Sequence, residues 1–145
     1  MFSSGQLIDA VDKFAAAHGI RSSDIVVSAG GSMVYHGHRM VTRDIDASVT
    51  EEIFDQLAAG REVIHLDPIG NLPGIKMISF PELRIDVHCG IPPQEDLVRL
   101  KTLPRRDTCW FLTQDALYRQ KVAMGRQKDL DDIVRMQLGG YHVPV

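Results

Sequence analysis

Two short stretches of the chain alternate strictly between apolar and polar residues, and they constrain the fold more than anything else in it. In 43–49 (RDIDASV), Ile45, Ala47 and Val49 fall on one side and Asp44, Asp46 and Ser48 on the other. In 82–88 (ELRIDVH), Leu83, Ile85 and Val87 oppose Arg84, Asp86 and His88. A period of two is that of a β-strand with one face on a core. Each predicted strand therefore buries its aliphatic side and presents acids on its free side.

The rest of the pattern supplies partners for these strands. Leu7, Val11, Phe14 and Ala15 recur at helical spacing over 4–19, with Gly19 placed as a C-terminal cap. Ile25–Ala29 is a β-branched run interrupted by Gly30-Gly31-Ser32, and Met33–His38 reads as one or two helical turns. Thr50 before Glu51-Glu52 starts a capped helix running to Gly60. Segments 62–66 and 75–80 are strand candidates around a loop holding Pro68, Gly70, Pro73 and Gly74. A short helix is expected over 94–101. A final helical block over 113–138 should break near Gly125 and end at Gly139-Gly140. Mixed order of this kind, in 145 residues without repeat or linker, implies one α/β (α+β) domain: a short mixed β-sheet flanked by helices.

Composition removes several classes. Hydrophobic residues make up 44% and charged residues 24%, which suits a globular chain. The net charge of -3 argues against a protein that mainly coats nucleic acid. Cys89 and Cys109, twenty positions apart, make neither a disulfide framework nor a zinc site. MFSSGQLIDAVDKF lacks the basic and apolar regions of a signal peptide, and no apolar run reaches membrane-spanning length. The expectation is a soluble, cytoplasmic protein that does not engage a membrane.

Asp-x-Asp is uninformative alone, since 129/131 repeats it. Its setting gives it meaning. Two carboxylates leaving one strand face about 6 to 7 Å apart repel unless a cation or solvent intervenes. If 82–88 pairs with 43–49, Asp86 joins them at the strand spacing of about 4.8 Å. Oxygen donors suit Mg²⁺ or Mn²⁺, and three carboxylates are the donor set of two-metal phosphoryl-transfer sites. Upstream, Gly30 and Gly31 allow backbone N–H groups to approach a phosphate, and Ser32 can add a hydroxyl. A strand–Gly-Gly-Ser–helix turn is equally explained by turn chemistry alone.

Together these residues resemble the polymerase-beta-like nucleotidyltransferase superfamily. Ala29-Gly30-Gly31, twelve residues, Asp44-Ile45-Asp46-Ala47 and a later Ile85-Asp86-Val87 follow its core pattern. More narrowly, AGGSMVYHGHRMVTRDIDASV, with Gly37 and Thr42 leading into the acids, is similar to the small bacterial and phage branch. That branch includes abortive-infection toxins and lincosamide or aminoglycoside nucleotidyltransferases. Lys121-x-Ala123-x-x-Arg126-x-Lys128-Asp129-x-x-Asp132 is similar to its C-terminal helical signature. The resemblance implies a minimal nucleotidyltransferase fold with C-terminal helices. It also implies Mg²⁺-dependent transfer of a nucleoside monophosphate from an NTP to a hydroxyl, releasing pyrophosphate, in a toxin-type or resistance-type enzyme. Asp44, Asp46 and Asp86 would ligate the metal, with Asp86 also the base. Gly30, Gly31, Ser32 and Lys121 would bind the nucleotide. The acceptor could be a tRNA or RNA end, a protein or a small molecule, and a homodimer or cognate partner protein could complete the site. Met40 stands where the branch often has Arg, with Arg39 one position earlier, so Arg39 carries no assigned role.

Blander readings stand beside these. Lys121 also reads as a solvated helix-face lysine, and Arg126, Lys128, Asp129 and Asp132 as helix-decorating or capping charges. His36 and His38 read as surface or packing residues, Cys89 as core, and Arg105-Arg106 with Trp110-Phe111 as a loop beside a buried Trp or an RNA-stacking patch. A non-catalytic nucleotide-binding or partner-binding module is the alternative function.

Overall fold

A computed structural model of the chain describes residues 1–90, 94–100 and 107–144. Of the two alternating stretches, 45–49 and 85–88 sit at its centre as neighbours, whereas 43–44 are a bend and 81–84 a turn that leaves Leu83 40% exposed instead of on the core face. Strands β1 (Val26–Ser28), β2 (Ile45–Val49), β3 (Ile64–His65), β4 (Lys76–Phe80), β5 (Ile85–Cys89), β6 (Leu97–Arg99) and β7 (Trp110–Leu112) form one sheet. Their order is β3-β4-β5-β2-β1-β7-β6. β2 runs parallel to β5 and antiparallel to β1, while β7 runs parallel to β1, so the sheet is mixed.

Among the described residues five α-helices cover this sheet: α1 (Ser4–Ala17), α2 (Ala29–Tyr35), α3 (Glu51–Ala58), α4 (Gln114–Met124) and α5 (Gln127–Leu138). On one face α1 and α3 bury Leu7, Val11, Phe14, Phe54 and Leu57 against Val27, Ala47, Val87, Ile78 and Phe111. Full burial of such side chains is worth about 1.5 to 3 kcal/mol each, so this layer carries the fold. On the other face α4 lays Ala116 over Val26 and Leu112. A third cluster joins α2 to the C-terminal helices through Met33, Leu117, Met136 and Tyr141.

Several sequence expectations hold with trimmed ends. Thr50 and Thr113 cap α3 and α4, accepting hydrogen bonds from the Ile53 and Ala116 amides. The C-terminal block does break at Gly125, which takes φ 63 as the left-handed cap of α4. The strand expected over 62–66 shrinks to the two residues of β3. Two expectations fail. Of the helix expected over 94–101, the described residues 94–100 are instead a 3-10 turn, Gln94–Asp96, leading into β6. Leu97, Val98 and Arg99 instead pair with Leu112, Phe111 and Trp110, and this cross-strand pairing outweighs a weak local helix preference. Trp110 and Phe111 accordingly lie in a strand, not a loop. The half-buried Trp110 donates its indole N–H to Ser23 O at 3.1 Å and carries the Arg99 guanidinium 4.1 Å over its ring. Arg105 and Arg106 of the basic-aromatic patch lie outside the described residues.

No described helix is long and apolar enough to cross a membrane.

Candidate active site

Strand register assembles the acidic residues. Ser28 of β1 stands opposite Asp46 of β2, Asp46 opposite Asp86 of β5, and Asp86 opposite Ser79 of β4. Cross-strand partners share a face, so this is one polar row across four strands on the face that α4 covers. Asp86 is fixed within it: the Ser79 hydroxyl donates to its Oδ1 at 2.8 Å. Asp44 precedes β2 in a bend and is exposed, and its carbonyl accepts the Thr42 hydroxyl at 3.1 Å. Thr42 is in turn pinned by paired backbone hydrogen bonds with Phe2, at 2.7 and 2.9 Å.

The electrostatics show negative charge in excess. Asp46 is pushed above the usual carboxylate range, first by burial and then by repulsion from Asp86 and Asp44. His88 and Lys128 oppose that shift. His88 lies one same-face step beyond Asp86 on β5, which places it diagonally from Asp46. His88 shares the face of Asp86 on β5, so by strand alternation Cys89 points to the other face. Cys89 is half-buried, packed against the edge of the main core.

The glycine turn departs from expectation. Gly30, Gly31 and Ser32 are not a loop before a helix but part of the first turns of α2. Ser32 is fully buried, and its hydroxyl donates to Val27 O at 2.8 Å while accepting the Leu112 amide at 3.3 Å. It staples α2 to β1 and β7, with no hydroxyl left for a phosphate. Gly31 is a packing glycine: a Cβ there would fall 2.4 Å from Val27 Cγ1 and 3.0 Å from Leu7 Cδ1. Only Gly30 of the three reaches the cleft, joined by Ser28 and Ala29. A Cβ on Gly30 would meet the Thr42 hydroxyl at 2.4 Å, so the same Thr42 that holds Asp44 also requires this glycine. Ala29, at the strand-to-helix junction, takes φ 49, strained for a residue with a side chain.

The C-terminal helices form the roof. α4 starts directly after β7, and its last turn meets the loop between β3 and β4 at the far side of the sheet. There Asn71 N donates to Ala123 O at 2.7 Å, and a Cβ on Gly70 would lie 2.3 Å from the same carbonyl. Lys121 is neither a solvated lysine nor a free phosphate ligand. It is 4% exposed and donates to Asp132 Oδ2 at 2.8 Å, while Arg39 binds Asp132 Oδ1 at 2.5 Å. Burial alone would raise the Asp132 carboxyl, but these two cations outweigh it and hold it below the usual range. Asp129 is buried as well. It accepts from the Arg126 backbone and guanidinium, capping α5 and holding the α4–α5 joint. Lys128, on the first turn of α5, is exposed, lines the cleft and makes no ion pair with a described residue. His36 and His38 are packing residues, bonded to Leu112 O at 2.7 Å and Gln114 Oε1 at 2.6 Å.

Between floor and roof lies a cleft of about 1490 Å³. Asp44, Asp46, Ser48 and His88 line its floor, and Arg39, Lys121, Arg126 and Lys128 are among its cations. Among the described residues no three His, Cys, Asp or Glu side chains form a ready-made metal centre. The donor chemistry still fits a hard divalent cation, because the row is all oxygen and its charge is uncompensated. Mg²⁺ is commonly held by one or two carboxylates together with substrate phosphates, without a full protein cage.

No model of a known protein family matches the chain, and no curated protein matches it. Lys128, read from the sequence as a helix-decorating charge, and His88, read as one position of an alternating strand, are cleft residues to which the sequence assigned no role. His88 was legible in the alternation that exposed Asp86, whereas nothing local distinguished Lys128 from Lys121.

Proposed function

We propose that the chain is a metal-dependent nucleotidyltransferase, moving a nucleoside monophosphate from an NTP to a hydroxyl. The observation that supports it most is the register pairing of Asp46, which lines a cleft walled by cations, with Asp86 on the neighbouring strand, itself outside the cleft lining. A divalent ion bound at Asp44, Asp46 and Asp86 would neutralise the phosphates and polarise the α-phosphoryl group. The chain's own residues do the remainder. Asp86, oriented by Ser79, takes the acceptor proton on its free oxygen, Oδ2. The acceptor oxygen then bonds to the α-phosphorus, the bond from that phosphorus to the bridging oxygen breaks, and pyrophosphate departs with the electron pair. Gly30 lets the backbone approach the nucleotide, and Lys128 is the cation free to meet its phosphates. Lys121 acts indirectly, by anchoring the roof through Asp132.

The resemblance to toxin-type nucleotidyltransferases of bacteria and phage agrees with this reading. A non-catalytic nucleotide-binding module is the second reading, favoured by the lack of a ready-made metal centre among the described residues. Incubation with each α-labelled NTP, Mg²⁺ and RNA or small hydroxyl compounds separates the two. Transfer predicts label in the acceptor with equimolar pyrophosphate. Label that stays in the NTP with every acceptor refutes it.

A further inference from the structure

The cleft is chemically lopsided. Arg39, Arg119, Lys121 and Arg135 come from the turn after α2 and from α4 and α5. The loop 66–75 (LDPIGNLPGI) contains no cation and one carboxylate, Asp67, yet Leu66, Ile69, Leu72, Pro73 and Ile75 all line the cleft. Strand order fixes which part of the site this apolar wall serves. β1 and α2 flank Asp46 on one side. On the other side come Asp86 on β5, then β4, then β3, and the loop joins the last two. Register completes the placement: Met77 stands opposite His88, so the loop before β4 adjoins the His88–Gly90 end of β5, one same-face step from the proposed base Asp86, while the glycine turn follows Ser28 at the opposite end of the row.

The wall is also preformed. Ile69 and Leu72 exchange backbone hydrogen bonds at 3.1 and 2.9 Å, and Leu66 N donates to Ile75 O at 2.9 Å. The packing of Gly70 and Asn71 on the end of α4 holds the loop against the roof. Of the cations around it, Lys76, next to Ile75, pairs with Glu51 at 3.7 Å, Arg126 is bound to Asp129, and Lys128 lies in the field of Asp46. Along the loop itself a polyanionic chain would meet only Asp67 and aliphatic carbon, so the loop contributes no cation to replace its counterions. An uncharged ring or alkyl body would instead bury apolar surface on a rigid wall, which suits a small-molecule subsite.

We infer that the acceptor is an uncharged, largely apolar hydroxyl compound seated on Leu66, Ile69, Leu72 and Ile75, and not a nucleic-acid end. This rests on the transfer reading above. The uncharged fluorophore N-phenyl-1-naphthylamine probes the wall without needing chemistry. The wild-type chain should bind it with blue-shifted, enhanced emission. Leu72→Asp and, separately, the more exposed Ile75→Asp should each weaken binding at least tenfold, with unchanged circular dichroism. Asp46→Asn should bind the probe as wild type does. A 12-nucleotide RNA should not displace it. No probe binding, binding indifferent to both loop variants, or displacement by the RNA overturns the assignment. Pyrophosphate release distinguishes the two layers. Release stimulated by RNA ends and untouched by Leu72→Asp overturns the acceptor class alone, whereas no release with any acceptor overturns the transfer reading beneath it.

Discussion

Asp46 answers to two opposed demands. Its backbone and neighbours belong to the sheet, but its carboxylate is half-buried beside two more of the same sign, and its acid form is favoured accordingly. The folded state therefore holds this proton more firmly than the unfolded chain does. The stability Asp46 contributes is present at low pH and lost as pH rises through its elevated folded value, so at neutral pH the charge opposes folding. Asp46→Asn removes the charge and keeps the shape. We expect it to raise the melting temperature at pH 7, with the gain shrinking below pH 4, while lowering NTP turnover by about 10² to 10³-fold. Thermal melts across pH together with pyrophosphate assays check both halves. Loss of stability in the variant would contradict the account. Asp46 and Asp86 were legible on strand faces because alternation is local, whereas Asp44, expected on the same strand face, precedes β2 in a bend. Lys121 and Asp132 were not legible, because the pairing of Arg39 with Asp132 spans 93 positions.

At the scale of elements, α2 shows where local reading stops. Glycine-glycine-serine after a strand looks the same whether it cradles a phosphate or lets a helix pack closely. The structure divides the roles: Gly30 faces the cleft, while Gly31 and Ser32 face Val27, Leu7 and Leu112. Ser32→Ala would strip a buried carbonyl and a buried amide of their shared partner, a loss of about 1 to 3 kcal/mol. Chemical denaturation should register that loss while affinity for NTP stays within twofold of wild type. A selective loss of NTP affinity at unchanged stability would restore the phosphate role. The missed strand β6 has a similar origin. Its three residues carry only a weak helical preference of their own, and antiparallel pairing with Trp110–Leu112 makes them a strand.

At the scale of the molecule, the roof is held to the sheet by buried charge. Asp132 binds Lys121 from α4 and Arg39 from the turn after α2, and it lies on α5, so one carboxylate ties three segments. Asp132→Asn leaves the buried Lys121 ammonium uncompensated and should cost about 3 to 5 kcal/mol in an equilibrium unfolding experiment. Asp129 and Asp132 both titrate below the ordinary carboxylate range, so the stability they lend is present above it and disappears as pH falls through their folded values. Acid should thus loosen the C-terminal helices, seen as early amide exchange in 114–138 below pH 4, before the layer built by α1 and α3 gives way. The mixed sheet flanked by helices was readable from the order of apolar periods. The cleft was not, because its walls come from segments that meet only once α4 has crossed the sheet.

The central claim is that the carboxylate row binds a divalent cation and a triphosphate as one unit. Calorimetric titration with α,β-methylene-ATP, which cannot release pyrophosphate, addresses it without reference to any acceptor. The account predicts binding in Mg²⁺ that is lost in EDTA and weakened at least 100-fold in Asp46→Asn, about 2.7 kcal/mol. Equal affinity with and without Mg²⁺, or in the Asp46→Asn variant, would contradict it.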